Sequence, residues 1–74
     1  MAKKQEEIIK QIDVDTHWMN GGHIRTKTSI LFESGRRYVT SILGFDQRFE
    51  KFSIGDKVLA IIAGDNNILQ VQKA

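Results

Sequence analysis

Seventy-four residues without a cysteine make one domain with a small core, and they exclude disulfides, thiolate metal sites and a cysteine nucleophile. The net charge of +2 is unevenly placed: residues 23–51 carry six basic and three acidic side chains, while residues 1–22 carry three and four. The longest apolar run, Val58 to Ala63, is far too short to span a bilayer, and Lys3-Lys4-Gln5-Glu6-Glu7 is not the apolar core of a signal peptide, so a cytoplasmic protein with no membrane partner is expected.

Residues 3–11 have helix-forming composition, with Lys3/Glu7 and Glu6/Lys10 at i,i+4 spacing. Ile8, Ile12 and Val14 also share the parity of a long first strand. The reading adopted is a frayed or helical extension over residues 1–8, passing into strand one near Ile9 or later. Ile12, Val14, Thr16 and Trp18 then alternate up to Asn20-Gly21-Gly22, and Ile24, Thr26, Thr28, Ile30 and Phe32 alternate after it. A three-residue loop pairs Met19 with His23, Trp18 with Ile24, Thr16 with Thr26, Val14 with Thr28 and Ile12 with Ile30 on one face. The other face sets Asp13 across from Ser29, Asp15 across from Lys27 and His17 across from Arg25. A two-residue loop would scramble both faces, so turn and register support each other.

Glu33-Ser34-Gly35 is a second turn, and Arg36 to Leu43 a third strand whose Tyr38, Thr40 and Ile42 continue the inner face. Phe45, Phe49 and Phe52 then fall at i, i+4, i+7, which predicts a short amphipathic helix plugging the open end of a barrel. Ser53 to Asp56 turns into strand four, Lys57 to Ala63, apolar at both parities and expected to be covered on both faces. Gly64 to Asn67 is a hairpin turn, and Ile68 to Gln72 is strand five. A small sheet with this many strands hides its edges by curling. The expected fold is all-β, a single five-stranded barrel over residues 1–74 of the oligonucleotide/oligosaccharide-binding (OB) kind, with a short helix between strands three and four.

Three families share motifs with the second half of the chain. Glu33-Ser34-Gly35-Arg36-Arg37, Ile42-Leu43-Gly44 and Gly55-Asp56-Lys57-Val58 together resemble bacterial translation initiation factor one over about half the length. That resemblance implies a barrel bound to the small ribosomal subunit through basic residues, at the positions of Arg36, Arg37 and Arg48. Gly44-Phe45-Asp46-Gln47 and Ile62-Ala63-Gly64-Asp65-Asn66 are similar to signatures of the Sm-like RNA chaperones, which implies a ring, although Glu50 and Ala63 replace that group's Asn and Arg. Gly55 to Ile62 looks like strand four of molybdate-binding barrel domains, whose amino-terminal Ser-Ala-Arg-Asn is missing here.

No nucleophile elbow, P-loop, dinucleotide fingerprint or His-Glu-x-x-His occurs, so no enzyme and no cofactor is expected. Asp13, Asp15 and His17 share a face near His23, a set that zinc or manganese accepts, but Asp15 opposite Lys27 reads equally as an ordinary cross-strand ion pair; no metal is assigned. Trp18 is expected in the core, with a stacking platform for bases as the functional alternative. The expected activity is binding of RNA or single-stranded nucleic acid, in an accessory role in translation or RNA metabolism. Arg36, Arg37, Arg48 and Lys51 would contact phosphates, supported by Arg25 and Lys27, with Trp18 and His23 at bases. In this reading Arg36 and Arg37 have only Glu33 nearby. The alternative is a homo-oligomer or protein-interaction barrel that buries Val58 to Ile62 and Phe45 to Phe52 against a partner.

Overall fold

A β-strand presents alternate side chains to opposite faces, so a strand that serves two sheets needs an extra residue where it changes partners if its apolar side is to stay inward. The computed structural model, which describes residues 2–65 and 67–73, contains such a strand. Its elements are β1 (Lys3–Met19), β2 (His23–Phe32), β3 (Arg37–Leu43), β4 (Lys57–Ile62) and β5 (Ile68–Lys73), all antiparallel, in the order β3-β2-β1-β4-β5. Lys3–Ile8 of β1 pairs with β4, and the stretch from Ile9 to Met19 pairs with β2. The register slips between Ile9 and Gln11, leaving Lys10 as the bulged residue. Before the bulge the odd-numbered Glu7 and Ile9 are buried; after it the even-numbered Ile12 turns inward. The grouping of Ile8 with Ile12 and Val14 is therefore corrected: Ile8 is 37% exposed, while Ile9 is fully buried.

Of the expected helical or frayed extension over residues 1–8, Lys3–Ile8 are strand, because pairing with β4 engages their backbone along one edge; Met1 lies outside the described residues. The hairpin around Asn20 has the expected register in full, from Met19 opposite His23 to Ile12 opposite Ile30. Gly21 and Gly22 both take positive φ in its loop, the left-handed backbone that glycine adopts without strain. The later strands lie where the alternation placed them, shifted by one residue at the start of β3 and at the ends of β4 and β5. Val58, Ala60 and Ile62 of β4 are buried, and Leu59 and Ile61 are half-buried.

The expected helix over Phe45 to Phe52 is not formed. Gly44 leaves β3 at φ +86°, and the Asp46 carboxylate accepts the Arg48 amide at 3.1 Å, a local bond that competes with helical hydrogen bonding. What remains are turns, with the Glu50 amide on the Gln47 carbonyl at 3.4 Å and the Phe52 amide on that of Phe49 at 3.1 Å. The loop nonetheless delivers Phe49 to the core, edge-on to Tyr38 at a centroid distance of 6.0 Å and beside Phe52 at 5.5 Å. Phe45, the first member of the supposed stripe, is 67% exposed.

The core is built from Ile9, Ile30, Phe32, Tyr38, Phe49, Val58 and Val71, where the two halves of the sheet face each other across the bulge. Thr26 and Thr28 extend it toward the hairpin; the Thr26 hydroxyl donates to the Gly44 carbonyl at 2.7 Å, and the buried Thr28 hydroxyl has no partner among the described residues. Beyond them the β1–β2 arm outruns the core, so Trp18, expected inside, is 75% exposed and Val14 is 51% exposed. Barrel closure is likewise not seen: among the described residues β3 and β5 approach each other but share no ladder, and the sheet stays open between them. Among the described residues no helix is long and apolar enough to cross a membrane.

Two consequences are measurable by urea denaturation. Deleting Lys10 forces one half of β1 to turn its apolar side outward, and cooperative unfolding is expected to disappear; Lys10→Ala, which keeps the residue count, is expected to stay within about 0.5 kcal/mol of the parent. Thr28→Val removes a buried hydroxyl without a partner among the described residues and is expected to stabilise by about 1 kcal/mol.

Candidate functional site

The half-sheet β1–β2–β3 buries one face and shows the other to solvent. Register alone sets four cross-strand rows on the outer face: His17–Arg25–Leu43, Asp15–Lys27–Ser41, Asp13–Ser29–Val39 and Gln11–Leu31–Arg37. Arg25 Nη1 donates to Ser41 Oγ at 3.0 Å, and Arg37 Nη1 donates to Ser29 Oγ at 3.1 Å. Lys27 lies opposite Asp15 as the sequence demanded, yet among the described residues the two form no ion pair. Arg25, Lys27 and Arg37 thus share one face, two of them steadied by hydroxyls that leave their charge intact.

The other arginines are engaged differently. Arg36 was expected to have only Glu33 nearby; instead its Nη1 lies 3.1 Å from Oε2 of Glu7, whose side chain is 3% exposed and also receives Gln5 Nε2 at 3.4 Å. An acid buried on the inward side of β1 needs such a cation, because an uncompensated charge there is strongly destabilising. Arg48 clamps Asp46 through Nε and Nη2, both at 2.9 Å, and its guanidinium lies 5.2 Å from the Phe49 ring centroid. This side-chain bond holds the Asp46 carboxyl below its ordinary range, and the same contact raises the Arg48 guanidinium. Lys51 is exposed on the same loop, with no carboxylate partner among the described residues.

At the hairpin end, Trp18, Met19, Asn20, His23, Arg25 and Leu43 line an open depression of about 510 Å³. A second, of about 520 Å³, follows along the outer face past Lys27, Ser29 and Arg37. The structure therefore gathers Arg25, Lys27 and Arg37 of the expected site onto the outer face, sets Trp18 and His23 at the hairpin end, where Trp18 has inner-face parity but lines one depression with Arg25, and places Arg36, Arg48 and Lys51 elsewhere. Met19, Leu43, Ser29 and Ser41 were not singled out from the sequence. Their signal was parity: each shares an outer-face row or loop flank with a basic residue once β3 is in register. Asp13, Asp15 and His17 do share this face, but among the described residues no three His, Asp or Glu side chains converge as a metal site.

No protein-family model matches the chain, and neither a curated protein nor a solved structure is significantly similar to it.

The Asp46–Arg48 pair fixes a sign for acid sensitivity. A carboxyl whose folded value lies below its ordinary 3.8 contributes stability that is complete above that value and is lost as pH falls through the lowered one. Denaturation midpoints measured from neutral to acid pH are expected to fall less steeply below pH 3.8 in Asp46→Asn than in the parent. Parallel curves would exclude this contribution.

Proposed function

We propose that the chain is a non-enzymatic binding module for RNA or single-stranded nucleic acid, acting as an accessory factor in translation or RNA metabolism. The observation that carries this reading is the outer-face set Arg25, Lys27 and Arg37, cations without carboxylate partners among the described residues, which leads toward the exposed indole of Trp18. Phosphates are held by unneutralised charge, and bases stack on exposed aromatic rings, so these are the two chemistries a single strand requires. Asp13 and Asp15 lie on the β1 side of the face, which puts the strand's path over β2 and β3 with its end at the hairpin loop, near His23.

An OB-like barrel would place the ligand on the same surface. In an OB-like barrel, a partly open five-stranded Greek key, oligonucleotides run across strands two and three and between the loops at that end. Pairing of β1 with both β2 and β4, and the approach of β3 to β5, favour this arrangement over a Sm-like one. Arg36 and Arg48, the positions implied by the resemblance to initiation factor one, act in this reading by holding Glu7 and the 45–52 loop, with Lys51 a peripheral phosphate contact.

Titration of fluorescently labelled single-stranded RNA and DNA over a salt series tests the proposal. Binding at low salt is expected, with log affinity falling against log salt at a slope of about −2, as about three phosphate contacts on a single strand give. The variant R25Q/K27Q/R37Q is expected to abolish most of that slope. Trp18→Ala is expected to weaken binding about tenfold while leaving the slope unchanged. Arg36→Gln should lower stability without changing the slope. Absence of binding at low salt would overturn the reading.

A further inference from the structure

The half of β1 beyond the bulge has one strand edge without a partner. Pairing with β4 ends at Ile8, and the Ile9 amide and carbonyl are taken by the Asp56 carbonyl at 3.0 Å and the Gly55 amide at 2.8 Å. From Gln11 to Trp18, among the described residues, nothing outside β2 bonds to this backbone. The Met19 carbonyl accepts the Gly22 amide at 3.2 Å and so points into the hairpin. Peptide groups alternate in direction along an antiparallel strand, so those of Val14, Thr16 and Trp18 point to the open edge. Proteins blunt such edges with charged side chains, lysine above all, with proline or with a bulge; the stretch Gln11–Met19 has no lysine, proline or bulge, and its charges are Asp13 and Asp15 on the outer face.

We propose that this edge pairs with the same edge of a second copy, antiparallel, about a two-fold axis at Thr16. The choice of occupant and register rests on avoiding opposed carboxylates and on shape complementarity. Two copies of one strand, paired antiparallel with matching faces, have few registers available. Centring on Val14 sets Asp13 against Asp15 twice, and centring on Asp15 sets that aspartate against itself. Centring on His17 faces the two histidines and leaves Asp15 opposite Met19. Centring on Thr16 places Asp15 opposite His17 twice on the outer face and Val14 opposite Trp18 twice on the inner face. That register covers Trp18 and Val14, which are 75% and 51% exposed in the single chain. The paired stretch runs from Ile12 to Asn20 and stops short of Ile9, where Gly55 and Asp56 occupy the edge. The axis is normal to the sheet, so the outer faces of both copies lie on the same side of one continuous six-stranded sheet. The dimer does not rest on nucleic-acid binding and is tested without it; because it covers Trp18, stacking of bases on that indole belongs to the single chain and dimerisation competes with it.

Sedimentation equilibrium of the full chain over a concentration series is expected to give a monomer–dimer equilibrium. The chain has no cysteine, so Thr16→Cys introduces a single thiol. Across a hydrogen-bonded antiparallel pair it meets its copy at a Cα separation of about 5.5 Å, within disulfide range. Mild oxidation is expected to convert Thr16→Cys to a covalent dimer, while Ser41→Cys, exposed on β3, stays monomeric. His17→Asp opposes carboxylates twice and is expected to weaken association at least tenfold, and the exchange D15H/H17D is expected to restore it. Circular dichroism of each variant monitors the fold. A monomer at every concentration, a larger assembly, cross-linking of Ser41→Cys as fast as Thr16→Cys, or no rescue by the exchange would each overturn the proposal.

Discussion

The single extra residue at Lys10 is the constraint on which the rest of the molecule depends. A strand of 17 residues with unbroken alternation would present its apolar side to the core in one half-sheet and to water in the other. The slip between Ile9 and Gln11 changes the inward parity where the strand changes partners, so that Ile9 and Ile12 both point to the same interior. The core residues contributed by β2, β3, β4 and β5 then meet around that point. In a domain this small, one misdirected half-strand would remove a large share of the buried apolar area.

The basic residues divide by the same geometry. Odd parity before the bulge turns Glu7 inward, and a buried acid draws in Arg36 from the turn preceding β3. Asp46, just past the glycine that ends β3, captures Arg48 and fixes the loop that carries Phe49. With these two arginines engaged, the cations of the β1–β2–β3 outer face are those whose partners are serine hydroxyls or, for Lys27, an aspartate that lies opposite without an ion pair among the described residues. A local count of +3 over residues 23–51 conceals this division between structural and available charge.

Short-range features were readable from the sequence. The Asn20-Gly21-Gly22 loop and two alternating runs fixed the β1–β2 pairing residue by residue, and alternation placed β3, β4 and β5 to within a residue at their ends. What the sequence concealed depends on distant parts of the chain. The pairing of Lys3–Ile8 with β4 outweighs a helical composition that is only a weak preference. The i, i+4, i+7 phenylalanines suggested a helix, yet a segment that short has little cooperativity to resist one aspartate bonding its own backbone. Trp18 was assigned to the core because its face was identified correctly, but the face continues past the end of the core that would cover it. For the site, the residue types were legible and their engagement was not, since Glu7 meets Arg36 only when β1 and the turn before β3 are both in place.

The division of β1 between two partners also sets an order of assembly. Its distal half is joined to β2 by a three-residue loop, and β2 continues into β3 through a short turn, so this meander closes at little entropic expense. Its proximal half waits for β4, which begins 49 positions after the Ile8 it pairs with. The β1–β4 pairing is thus the contact that spans the longest stretch of chain, and the core closes only when it forms, since Val58 and Val71 come from that side.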